Sequence, residues 1–271
     1  LINKAGSDDF WIINNKFRTD SFYSRLVTNA GINSQKTISV AGQNPIKFEY
    51  NFIAMKASPN GEMIAGSIYT AYPSPFAHHK GNIEVFNFDR NTGVLTNKVI
   101  TETSMPYYTP QLRHLEFSPD SRLIYAVEIV VYTGLQPCGF ANSKIVQYNL
   151  CYTDSVSFSK YSVILADKLF FCSYPVWGNM QMASDKQIYM RFPGNIMSTI
   201  KYPNKIGSSA KLIFNAFTTG SSFSGVYLPT FSQMEIVKTV KNNITYSGGC
   251  YPTPVSFSLT NNAIDHVMWN F

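Results

Sequence analysis

Two adjacent histidines, His78-His79, could bind a transition metal, because neutral imidazole is a good ligand. No carboxylate partner stands near them, so solvated loop histidines are expected instead. His114, next to Arg113, lies on what reads as an innermost strand, where it could face a channel or act as a satisfied structural histidine. Glu84, Glu116 and Glu128 are far apart in sequence; two of them meeting in space would supply the acid pair of glycoside cleavage, and only the fold can bring them together. The chain has no Gly-x-Ser-x-Gly, no glycine loop for phosphate and no His-Glu-x-x-His. Cys138, Cys151, Cys172 and Cys250 lack zinc-site spacing; outside a cell they could form disulfides, with three pairings open and Cys138 to Cys151 closing a local loop. Asn243-Ile244-Thr245 is an N-linked sequon by pattern. No catalytic residue, no metal and no cofactor is expected.

The elements that must carry these side chains come from one recurring stretch. Lys56-Ala57-Ser58-Pro59-Asn60-Gly61-Glu62-Met63-Ile64-Ala65 returns as Glu116-Phe117-Ser118-Pro119-Asp120-Ser121-Arg122-Leu123-Ile124-Tyr125-Ala126. Each copy is an apolar approach, a Ser-Pro-Asx-small corner and an apolar departure, the pattern of a hairpin. Pro presets φ for the first corner residue, and Asn or Asp followed by Gly or Ser tolerates a left-handed step. A third copy at Gln181–Met190 lacks the Pro and one residue, and a fainter one, Ala5–Ile13, precedes them all. The corner residues Asp8, Asn60, Asp120 and Asp185 recur at intervals of 52, 60 and 65 residues. A second hairpin follows each corner: Phe22 to Val27 with a turn at Asn29-Ala30-Gly31; Gly81 to Asp89 and Val94 to Ile100; Lys144 to Leu150 and Val156 to Ile164; Ile196 to Tyr202 and Ala210 to Phe214. A long repeat made of hairpins with no helical pattern predicts an all-β propeller with four recognisable blades.

Composition agrees with a β-rich chain. Of 271 residues, 45% are hydrophobic and 15% aromatic, enough for a well-filled core. Only 14% are charged, against about 25% in an average soluble protein, which suits an extracellular setting. The net charge of +6 is spread over scattered Lys and Arg with no basic run, so no nucleic-acid partner is expected. No apolar run reaches the ~18 residues of a membrane span, so no transmembrane segment is expected. Nothing at Leu1-Ile2-Asn3-Lys4 reads as a signal peptide, leaving a cytosolic chain or one whose start has been removed.

Units of this grammar resemble the propellers of large secreted surface proteins of Bacteroidota, exported by the type 9 secretion system and carrying PKD-like modules after the propeller. Asp9-Phe10-Trp11-Ile12-Ile13, Val85-Phe86-Asn87-Phe88-Asp89 with Thr92-Gly93-Val94, Leu115 to Ser121, Met180 to Tyr189 and Val226-Tyr227-Leu228-Pro229-Thr230-Phe231 carry the resemblance in the family's order, over about residues 5 to 231. His114 departs from the usual Gly, and Ser184 from the usual Pro. The resemblance implies propeller blades over 1–233, a connector at 234–249 and, from Cys250 to His266-Val267-Met268-Trp269-Asn270-Phe271, the start of a PKD-like β-sandwich. It further implies a segment of a longer protein and a ring with more blades. It also implies secretion to the cell surface, in association with the outer membrane, and a non-catalytic binding or scaffolding role. Asp154-Ser155-Val156 resembles the O-glycosylation acceptor of that lineage, making Ser155 a candidate.

The connectivity predicts one edge where second-to-third-strand loops and blade-to-blade segments open. That edge is expected to be aromatic and Pro-stiffened: Tyr69, Tyr72, Phe76, His78 and His79 in one loop, Tyr132 and Phe140 in another, and Tyr107, Tyr108 and Trp177 between blades. Rigid aromatics lose little entropy on binding, so a protein partner, or a glycan, is expected there. The opposite edge is expected to be short and polar. Two other classes fit the sequence, a lactonase-like or polysaccharide-lyase propeller enzyme and a carbohydrate-binding adhesin. An enzyme should gather His, acid or Arg side chains around a channel.

Overall fold

The computed structural model describes residues 1–17, 19–42, 49–71, 80–103, 109–131, 141–171, 180–191, 195–219, 244–247 and 256–259. Two compact units divide the chain, Leu1–Val237 and Lys238–Phe271.

Among the described residues the first unit holds four antiparallel sheets in chain order. The first contains β1 (Ile2–Asn3), β2 (Phe10–Asn15) and β3 (Ser21–Thr28), with β4 (Gly31–Ile32) and β5 (Thr37–Val40) both pairing on β3. The second is β6 (Glu49–Ala57), β7 (Met63–Ala71), β8 (Lys80–Phe88) and β9 (Leu95–Thr103). The third is β10 (Thr109–Phe117), β11 (Leu123–Val131), β12 (Ala141–Asn149) and β13 (Val163–Phe171), with α1 (Ser155–Lys160) before β13. The fourth is β14 (Met180–Met182), β15 (Ile188–Arg191), β16 (Ile196–Ile200) and β17 (Leu212–Thr218), with a 3-10 turn at Gly207–Ala210. The second unit shows β18 (Ile244–Ser247) paired with β19 (Ser256–Leu259).

Strand alternation explains how the sheets pack. On β11, Leu123, Tyr125 and Val127 join Met180, Met182, Ile188 and Met190 of the fourth sheet, while Ile124 and Ala126 join Met63, Ala65, Ile83 and Val85 of the second. The second sheet's other face puts Ile64, Phe86 and Phe88 against Trp11 and Phe22 of the first. A period of two, buried on both faces, produces this stack. Four sheets with three apolar interfaces between them are consistent with propeller blades, as the sequence predicted.

The corners show why Ser, Asx and a small residue recur. Ser58 Oγ accepts from Met63 N at 2.9 Å and donates to Asn60 Oδ1 at 2.6 Å, and Ser118 Oγ does the same with Leu123 N and Asp120 Oδ1. Gly61 and Ser121 then take the left-handed step at φ 74° and 62°. In the third copy Lys186 takes it at φ 64°. The first corner is built differently from the expected one: Gly6 is left-handed and Ser7 Oγ accepts from Asp9 N at 2.9 Å, so Asp8 is not the counterpart of Asn60.

One element departs from its expected type. Val156 to Ile164 reads as a strand, yet Ser155–Lys160 is helical and β13 begins at Val163. Asp154 caps the helix by accepting from Ser157 N, and Phe158 is buried, its ring stacked on Tyr148 at 5.1 Å. Tertiary burial of one aromatic outweighs the local β preference of the Val-Ser-Phe-Ser run.

Candidate functional site

The corners mark one edge of the stack. Asn60 N donates to Ser121 Oγ, which sets the second and third corners side by side, and Asp120 N donates to Asn204 Oδ1 in the β16–β17 turn of the fourth sheet. The β7–β8 and β11–β12 connections therefore leave at the opposite edge, from Ala71 and Lys80 and from Val131 and Ala141. Tyr69 is not a loop residue as expected; it lies in β7, paired with Asn51 and Gly81, because backbone pairing runs on to Ala71. Tyr72, Phe76, His78, His79, Tyr107, Tyr108, Tyr132, Phe140 and Trp177 lie outside the described residues, as do Cys138, Cys172, Cys250 and Asn243. On the corresponding β2–β3 connection, Phe17 is 68% exposed.

The corner edge does not match its expected polar character. Its outer turns expose Ile32, Val94, Val156, Tyr161, Tyr202 and Ile206. Both helical turns sit on it: Val156 lies within α1 and Tyr161 just after it, and Ile206 stands just before the 3-10 turn. Ser155 is exposed at the first position of α1.

A group that sequence reasoning missed joins three sheets. Lys56 on β6, Glu116 on β10 and Gln181 on β14 each stand two residues before a corner. Lys56 Nζ donates to Glu116 Oε2 at 3.0 Å and to Gln181 Oε1 at 2.7 Å. Glu116 also accepts from Met182 N at 3.2 Å and from Phe117 N at 3.1 Å, and it is fully buried. Burial pushes its carboxyl above the ordinary value, partly offset by the Lys56 ammonium. Aligning the corners two residues upstream would have revealed this set.

The three candidate acids do not form a pair. Glu84 lies opposite Gly66, on the face that the second sheet turns to the first. Glu128 shares the face of Ile124 and Ala126, turned toward the second sheet, where the Tyr148 hydroxyl donates to it. Burial raises both the Glu128 carboxyl and the Tyr148 phenol. Glu116 lies opposite Tyr125, on the face turned to the fourth sheet. Three different interfaces therefore hold the three carboxyls. His114 is buried beside a bulge in β10.

A groove of about 650 Å³ runs along the outer turn of the second sheet, past Glu62, Asp89, Arg90 and Thr92. Its charges are engaged locally. Asp89 accepts from Thr92 Oγ1 at 2.6 Å and from Asn91 N at 2.8 Å, which lowers its carboxyl, while Arg90 Nε donates to Asn3 O. Gly93 closes this turn at φ 75°, where any Cβ would stand 2.7 Å from the Trp11 ring. Among the described residues no three His, Cys, Asp or Glu gather as metal ligands. No helix among them is long and apolar enough to cross a membrane. Cys151 is disulfide-bonded.

The class this fold defines is an all-β chain of stacked antiparallel sheets consistent with propeller blades. No protein-family model matches the sequence, and no curated protein matches it. Among solved structures the chain is similar to prolyl oligopeptidase B from Galerina marginata, bound to a 35mer hydrolysis and macrocyclization substrate, with a TM-score of 0.40 and 10% identity. The match covers 78% of this chain and 32% of that one, so the chain spans about a third of that protein's length.

Proposed function

We propose that the chain is a non-catalytic binding or scaffolding module of an exported, cell-surface multidomain protein: part of a propeller followed by the start of a PKD-like β-sandwich. The observation that carries this reading is the Lys56–Glu116–Gln181 group. The polar side chains that meet from three innermost strands are bonded to one another and to backbone N–H groups, which suits a joint between blades. The separation of Glu84, Glu116 and Glu128 onto three interfaces also favours binding over glycoside chemistry. The disulfide at Cys151 supports export, since such bonds persist in oxidising compartments. Ser155, exposed at the start of α1, is the proposed O-glycosylation acceptor.

Partner contact is assigned to the edge from which the β7–β8 and β11–β12 connections leave, with Tyr72, Phe76, Tyr132 and Phe140 as its main anchors and a protein or glycan as the partner. The test is native mass spectrometry of the intact protein with its co-purifying chains, followed by alanine substitution of these four. Loss of at least ~30-fold in affinity with an unchanged melting temperature is expected, since truncating an interface aromatic commonly costs about 2 kcal/mol. Undiminished binding by the fourfold variant would remove the assignment.

A further inference from the structure

The turn joining β16 to β17 is held by a buried polar network while two of its side chains, Tyr202 and Ile206, are exposed. Gln147 of β12 is 2% exposed, and both ends of its amide are bonded: Nε2 donates to Lys205 O and to the Tyr125 hydroxyl, both at 2.7 Å, while Oε1 accepts from Gly207 N at 2.9 Å. The buried Tyr125 hydroxyl in turn donates to Pro203 O at 2.7 Å. The two backbone groups that Gln147 holds flank a single residue, Ile206, which is 58% exposed. Tyr202, 47% exposed, is fixed by its N–H to Ala210 O and by Lys205 N donating back to Tyr202 O. Single exposed apolar residues need no explanation, but a buried hydrogen-bond network on either side of one does.

The surroundings of this tip are cationic. Residues 201–211 contain Lys201, Lys205 and Lys211, all exposed, and no Asp or Glu. Lys201 Nζ lies 5.6 Å from the centre of the Tyr202 ring. The neighbouring acid Asp120 is already paired with Arg122 at 2.7 Å. A rigid projecting point made of an amphipathic ring and an aliphatic side chain, ringed by lysines whose stems can lie along an apolar medium, matches the boundary of an anionic bilayer. A protein partner would need a pocket shaped to the point, whereas a bilayer accepts it as it stands.

We propose that the Tyr202–Gly207 turn docks on an anionic phospholipid surface, with Tyr202 and Ile206 entering the interface and Lys201 and Lys205 binding headgroup phosphates. The surface is separate from the aromatic loop edge, so either assignment can fail alone. The test is co-sedimentation of the whole chain with phosphatidylcholine vesicles, with and without phosphatidylglycerol. Binding only to the anionic vesicles, weakened by salt, is expected. Lys201→Gln with Lys205→Gln should weaken it about thirtyfold, at ~1 kcal/mol per lysine. Tyr202→Ser with Ile206→Ser should weaken it about tenfold or more. All four side chains are exposed, and an unchanged melting curve verifies each fold. Equal partition onto neutral and anionic vesicles, or no partition, overturns the proposal. A lysine effect without an effect of the apolar pair also overturns it, because that surface would read charge in any polyanion, an acidic protein included.

Discussion

Glu116 and Gln147 are both buried polar residues of the third sheet, and they serve opposite ends. Glu116 faces inward-lying partners: Lys56 from the second sheet and Met182 N from the fourth both bond Oε2, Phe117 N bonds Oε1, and the group is closed. Gln147 directs its amide at the backbone of a surface turn, and the consequence is an exposed Ile206. One buried polar group joins sheets; the other presents a surface. The difference lies in what satisfies the group. A partner side chain from a neighbouring sheet is consumed by the bond, whereas a bonded backbone leaves its own side chain free to point elsewhere.

The largest effect should come from breaking the joint. Glu116→Ala leaves Lys56 Nζ and Met182 N without their acceptor, and removing one partner of a buried pair costs about 3–5 kcal/mol. Lys56 keeps Gln181 and is 16% exposed, which places the expectation near the lower end. Urea unfolding checks it, and a loss under ~1 kcal/mol would mean that the group does not hold the sheets together.

Gln147→Leu should be milder, about 1–3 kcal/mol, since it leaves Gly207 N without its protein partner and Lys205 O with only the long 3.5 Å contact from the Tyr125 hydroxyl. Its local signature separates the two residues. Amide exchange at Gly207 should speed up while Met182 N, bonded to Glu116, keeps its protection. Faster exchange at both sites would show that the two networks are one.

The smallest effect is in pH dependence. Burial raises the folded Glu116 carboxyl above its unfolded value. Its contribution is therefore complete below the unfolded value, near the ordinary ~4.3 of glutamate, and declines as pH rises through the higher folded one. Glu116→Gln should remove that decline. The stability difference between wild type and variant, followed by denaturant titration at several pH values, should shift in the variant's favour as pH rises through that window and then level off. A difference independent of pH would contradict the buried, raised carboxyl.

Much of the fold was legible because it is local. Ser58 and Ser118 satisfy the ends of their own hairpins, and Gly61 and Ser121 supply the left-handed step, all within six residues of chain. The unbroken apolar runs Met63-Ile64-Ala65 and Leu123-Ile124-Tyr125-Ala126 announce strands covered on both faces. Local reading failed where a distant residue decided the outcome. Phe158 helps turn an apparent strand into α1 by stacking on Tyr148, and Tyr69 became a strand residue because Asn51 and Gly81 pair with it. At the first corner the side chain that accepts a backbone N–H is Ser7, one residue before Asp8.

The candidate site divides along the same line. The equivalence of Lys56, Glu116 and Gln181 is written in the sequence as one position before three corners. That their side chains meet depends on three sheets stacking in order. No spacing within the chain says which face of a strand looks toward which neighbour. For that reason the corners and the strands they join can be read from neighbouring residues, each set by bonds between positions a few residues apart. Tertiary structure alone decided that Glu84, Glu116 and Glu128 go to three different interfaces, and that Gln147, buried within the third sheet, holds a turn of the fourth some 60 residues away.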